Sequence, residues 1–83
     1  MDYKLYAQQL LEDFNLCILA KPKHDAINIQ LEKDACAKWA YHLSTQLGWG
    51  TEHEIAEACH QLESKLTHLK EKLVMEILTN GPI

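Results

Sequence analysis

His53, Glu57 and His60 are the residues of this chain whose types and spacing could do chemistry. At i, i+4 and i+7 they share one face of a helix, and two imidazoles with a carboxylate can begin a zinc site. Such a site needs a fourth ligand and a shell of partners to orient the first three. The sequence points to neither, so no metal and no cofactor is expected. Ser64, His68 and Glu71 continue the same row, which is the pattern of a solvated helix face. Cys59 and His60 place a nucleophile beside a base, but neighbours on a helix stand about 100° apart and do not face each other. No phosphate-cradling glycine loop, nucleophile elbow or carboxylate pair is present. The expectation is a protein without catalytic residues.

The element that must position this row runs from Thr51 to Thr79. Ile55, Cys59, Leu62, Leu66, Leu69, Leu73 and Ile77 follow at steps of 4, 3, 4, 3, 4 and 4. Those steps hold one stripe of an α-helix, directly opposite the His53–His60 row. Thr51 is a good N-cap, and Glu54 three residues on completes a capping box. At the far end, Asn80-Gly81-Pro82 supplies a left-handed cap and a residue that cannot continue the helix. Cys59 falls on the apolar stripe and reads as a small buried hydrophobe.

Ahead of this helix the chain divides less cleanly. Asp2 can cap a first helix whose face is Tyr3, Ala7, Leu10 and Phe14, with Asn15 as its stop. Residues 16–31 then change character. Leu16-Cys17-Ile18-Leu19-Ala20 is solidly apolar, Lys21-Pro22-Lys23-His24-Asp25 is a polar break, and Ile27, Ile29 and Leu31 alternate with other residues. Period two in β-branched residues on either side of a turn predicts a β-hairpin. The rival reading carries the first helix to Ala20 and begins the next near Asp25, giving three helices and no sheet. A second helix is expected from Lys33 to Leu47, with Cys36, Trp39, Ala40, Leu43 and Leu47 on one face and Tyr41 on the opposite one. Gly48-Trp49-Gly50 should break the chain and fold this helix back antiparallel to the last. Trp49 there is either an exposed anchor or a lid, and a lid is favoured because Trp is usually largely buried. The fold class expected is α+β, a helix, a hairpin and two antiparallel helices in a single small domain over 1–83. The alternative is an all-α three-helix bundle.

Composition narrows the function. The 83 residues carry 12 acids against 8 bases, a net charge of −4, and every base is Lys. Arg is the residue of bidentate phosphate and base-edge recognition, so its absence argues against nucleic acid. Three cysteines, Cys17, Cys36 and Cys59, form no C-x-x-C pair, which argues for reduced thiols. No leader-like or membrane-spanning stretch stands out, and a cytoplasmic setting is expected. A chain of this length is only marginally stable alone and is often completed by a partner.

The segment Thr51-Glu52-His53-Glu54-Ile55-Ala56-Glu57 resembles the opening of helix-turn-helix units, where a capped first helix reads T-x-x-E-I-A. That resemblance implies a DNA-linked regulator. Where the family has a glycine-centred turn, Cys59-His60-Gln61-Leu62 carries on the helical stripe. Where it has a basic recognition helix, Glu63, Glu71 and Glu76 offset Lys65, Lys70 and Lys72, so the electrostatic drive for DNA is missing. A more productive feature is the end of the last helix. Val74, Met75 and Leu78 leave the stripe and, with Leu73 and Ile77, make the final turns apolar nearly all round. An apolar ring of that kind marks an interface. The function expected is a small non-catalytic protein that acts by binding another protein, through Val74, Met75 and Leu78 together with Tyr41 and Trp49. It is expected to be a homodimer, and its acidic surface favours a basic partner surface. In size and charge it resembles the small inhibitors and regulators made by phages and mobile elements. The alternative is a DNA- or metal-linked transcriptional regulator.

Overall fold

The structure, a computed structural model, describes residues 2–22 and 24–80, the last four of these as backbone only. The described residues form three helices: α1 (Tyr3–Leu19), α2 (Ala26–Trp49) and α3 (Glu52–Asn80). Among the described residues there is no strand. The expected α+β fold is therefore corrected to an all-α three-helix bundle.

The correction falls on residues 16–31. The apolar run from Leu16 to Leu19 continues α1 past Asn15, and Ile27, Ile29 and Leu31 lie in the first turns of α2, which begins seven residues before Lys33. Their alternation marks no sheet face: Ile29 is 1% exposed, Ile27 80% and Leu31 60%. Ile29 instead opens the helical row Ile29, Lys33, Cys36, Ala40 and Leu43, all buried. The physical reason is one of partners. A two-stranded hairpin is marginal alone, and no third strand exists here to pair its edges. A helix satisfies its own backbone and needs only one buried face.

Lys33 is the residue that makes this work. It lies within the core row at 7% exposure. Its ammonium donates to the carbonyl oxygens of Ile18 (3.1 Å) and Ala20 (2.5 Å). Those carbonyls lie where α1 ends and would otherwise lack donors, and a cation there also meets the negative end of the helix dipole. The turn that follows has Pro22, which cannot continue α1, and Asp25 in a left-handed conformation (φ 49°). The Asp25 carboxylate accepts from the Asn28 side chain at 2.6 Å.

The two expected N-caps hold, and α2 runs past its expected stop at Leu47. Asp2 caps α1, its carboxylate accepting from the amides of Lys4 and Leu5 at 3.1 and 3.2 Å. Thr51 and Glu54 form the reciprocal capping box, Thr51 N–H to Glu54 Oε1 at 3.1 Å and Glu54 N–H to Thr51 Oγ1 at 3.2 Å. Helix α2 runs through Gly48 and Trp49 before it breaks, so the break is one residue pair, Gly50-Thr51. The Gly50 amide donates to the Gln46 carbonyl at 2.7 Å. A Cβ at Gly50 would sit 2.0 Å from the Gln46 side-chain oxygen, which would have to swing away, and 3.0 Å from that carbonyl oxygen, a tight approach. The expected cap at Gly81-Pro82 lies outside the described residues.

One apolar cluster joins the helices: Ala7, Leu10 and Phe14 from α1, the α2 row, and Ile55, Ala58, Cys59, Leu62, Leu66 and Leu69 from α3. The α1 face and the α3 stripe are those the spacing predicts. Helix α3 is continuous through Cys59–Leu62, where a helix-turn-helix would turn, and Leu62 is fully buried. Helices α2 and α3 are antiparallel: the His24 amide, just before α2, donates to Glu76 near the end of α3 at 2.7 Å.

Candidate functional site

The bundle is about as long as α3, 47 Å in its longest extent, so its two ends are separate surfaces. At one end lie the close of α1, the start of α2 and the close of α3. At the other lie the start of α1 and the turn between α2 and α3. The candidate residues divide between them.

Val74 and Met75 are at the first end, both exposed, 52% and 61%. The side chain of Leu78 lies outside the described residues. Tyr41 points outward from the middle of α2, as its spacing predicts. Trp49 is at the second end and is 90% exposed, which corrects its reading as a lid. The structure thus brings Val74 and Met75 together and keeps Trp49 apart from them.

Sequence reasoning missed the larger part of the first end. Leu16, Ile18, Leu19, Ile27 and Leu31 are exposed there too. Leu16 and Leu19 fall opposite the Ala7–Leu10–Phe14 face of α1, and Ile27 and Leu31 opposite Ile29 on α2. The signal was present: read at helical spacing, these positions belong to no core row. Seven of the ten large hydrophobics exposed among the described residues gather at this end. Three of its lysines are held within the fold. Lys70 pairs with Asp13, Lys72 lies 4.0 Å from Glu32, and Lys33 is held by carbonyls. Beside the patch, His24, Asp25, Ile29, Glu71, Lys72 and Met75 line an open cleft.

The second end is different in charge. Residues 39–64 hold Glu52, Glu54, Glu57 and Glu63 and no Lys, whereas the rest of the chain sets eight acids against eight lysines. The whole formal charge of −4 therefore belongs to this end and the helical turns next to it. The amide and hydroxyl of Thr51 hydrogen-bond the Glu54 carboxylate and hold its pKa below the usual range.

The residues first considered for chemistry do not assemble. His53, Glu57 and His60 are exposed along α3, and the ring of His60 meets Tyr3 edge-on at 6.2 Å. Among the described residues, no three His, Cys, Asp or Glu side chains gather closely enough to hold a metal. Cys59 and Cys36 are fully buried. Burial raises both thiol pKa values, that of Cys36 to about 11. Each is thereby held as the unreactive thiol. No described helix is long and apolar enough to cross a membrane. The chain matches no family model, no curated protein and no solved structure.

Proposed function

We propose that this protein has no reaction of its own and works by docking on other proteins, as a homodimer that inhibits or regulates its partner by occupancy. The observation that carries this reading is the gathering of exposed apolar side chains at one end of the bundle. Large apolar side chains left exposed together at one end of a small bundle mark an interaction surface. The occupant we assign to it is a second copy of the chain. Outside residues 39–64 the acids and lysines balance, so two copies meet there without net like-charge repulsion. The chain also exposes much surface for its size. Its accessible area is 5880 Å². A folded monomer of its mass, 9.5 kDa, exposes roughly 5000 Å². The excess, about 800 Å², goes with the elongated bundle, 47 × 22 × 17 Å in its extents. A two-fold axis would set Met75 and Val74 of one copy against the same end of the other.

The test is sedimentation velocity at high micromolar concentration. The wild-type chain should run as a dimer. Met75→Glu puts an unpaired charge into the interface while sparing the core, and should run as a monomer with its far-UV helical signal preserved. A wild-type chain that already sediments as a monomer defeats the dimer.

A further inference from the structure

The self-pairing end leaves the other end free, and one face there is built unlike the rest of the surface. Trp39, His42, Gln46 and Trp49 follow at three, seven and ten residues along α2, which sets them in a single row. Trp39 and Gln46 are half-buried, His42 and Trp49 exposed. The rings of Trp39 and His42 meet edge-on with centroids 5.5 Å apart, which fixes the middle of the row. Helix α3 runs alongside. Glu54 in its first turn and Glu57 one turn on are both exposed.

We propose that this row is a docking site for a basic segment of a partner protein, with a Lys or Arg side chain over the Trp49 indole and its charge met by Glu54 and Glu57. The proposal rests on the docking reading above and names the partner that reading leaves open. Three observations choose this occupant. Trp is ordinarily a largely buried residue and, at interfaces, a common anchor, yet Trp49 is nine-tenths exposed. The face of an indole attracts cations. The segment that holds it, residues 39–64, carries four acids and no Lys, a charge that repels a second copy, a nucleic acid or an acidic peptide and draws a basic one.

The experiment uses the full chain in the Trp39→Phe background, where Trp49 is the sole tryptophan and is excited selectively over the three tyrosines. Octa-lysine and octa-arginine are titrated in, with octa-glutamate as control, and binding is followed by Trp49 fluorescence and by amide shifts. Salt at 0.15 M, where the screening length is about 8 Å, removes diffuse attraction. The basic peptides should bind, and octa-glutamate should not. Amide shifts should concentrate between residues 39 and 57. Trp49→Ala, followed by the amide shifts, should weaken binding at least fivefold with the fold unchanged. Glu57→Gln should weaken it more than Glu71→Gln, which removes the same charge at the apolar end. Equal effects of the two glutamines, or full binding by Trp49→Ala, would overturn the site and leave only attraction to net charge. Sedimentation of the same samples reports the dimer independently, so one idea can fail while the other stands.

Discussion

The two connections of this bundle differ as much as its two ends do. Helices α2 and α3 are joined by Gly50 and Thr51, and the hydrogen bonds that close that turn join residues four positions apart or fewer. Helices α1 and α2 are joined by residues 20–25, and that link is held from a distance. Lys33 reaches back to Ile18 and Ala20, and Glu76, fifty-two residues on, accepts from His24. The surface follows the same division. The locally closed end is acidic and presents one indole. The end closed by tertiary contacts is charge-matched and apolar. A turn that completes itself needs no cover, whereas the long link leaves Leu16, Leu19, Ile27 and Leu31 in solvent, available to a second chain.

The largest expected effect tests what both ends share. Leu66 is 2% exposed in the middle of the α3 stripe. Leu66→Ala should cost about 2–5 kcal/mol, through lost transfer energy and the cavity left behind. Chemical denaturation would show it as a lower midpoint, with both ends unfolding together. An unchanged midpoint would mean that the stripe is not the core. This part of the fold was legible in the sequence because it rests on spacing alone. The Ala7–Leu10–Phe14 face, the α3 stripe and both N-caps were read for the same reason.

Residues 16–31 were not legible, and the cause is specific. Period-two spacing in Ile27, Ile29 and Leu31 is a local signal, and the decision was made elsewhere. The α1 terminus needs a donor, and Lys33 supplies it only if Ile29, Lys33 and Cys36 share a helix face. A lysine in a core row has no sequence signature. The same error hid most of the candidate interface, since side chains assigned to a strand core were not considered as surface. Val74 and Met75 were found because they break a stripe already recognised. Trp49 was misplaced because its type suggests burial while its position, at the tip of a self-sufficient turn, gives it nothing to be buried against.

Lys33→Met is the next effect in size, and it should separate the two ends. Methionine keeps the apolar stem and removes the donors, so two partly buried carbonyls lose their partner. The expected cost is about 1–3 kcal/mol. Hydrogen exchange should quicken in residues 16–30 and stay unchanged in the first turns of α3. Uniform quickening would mean that the long link is no more dependent on tertiary contacts than the short one.

The smallest effect belongs to the self-sufficient turn. Thr51→Ala removes the hydroxyl that accepts from the Glu54 amide and should cost about 1 kcal/mol, confined to fraying at the start of α3. Glu54 completes the reciprocal bond, and its pH dependence has a definite sign. Its folded pKa is lowered, first by the Thr51 amide and then by the Thr51 hydroxyl. A carboxylate lowered in this way contributes stability that is present above its unfolded pKa and is lost as pH falls through the folded value. The unfolded value is about 4.3, so the loss should appear below about pH 4. Glu54→Gln can still accept from the Thr51 amide but does not titrate. It should therefore change neutral-pH stability less than Thr51→Ala does, and it should flatten that part of the acid limb. Amide exchange at Glu54 and Ile55, measured at pH 7 and pH 3, reads both effects at the turn itself. If Glu54→Gln retains the full acid loss there, the reciprocal cap is not what closes this end, and the contrast with the Lys33 end fails.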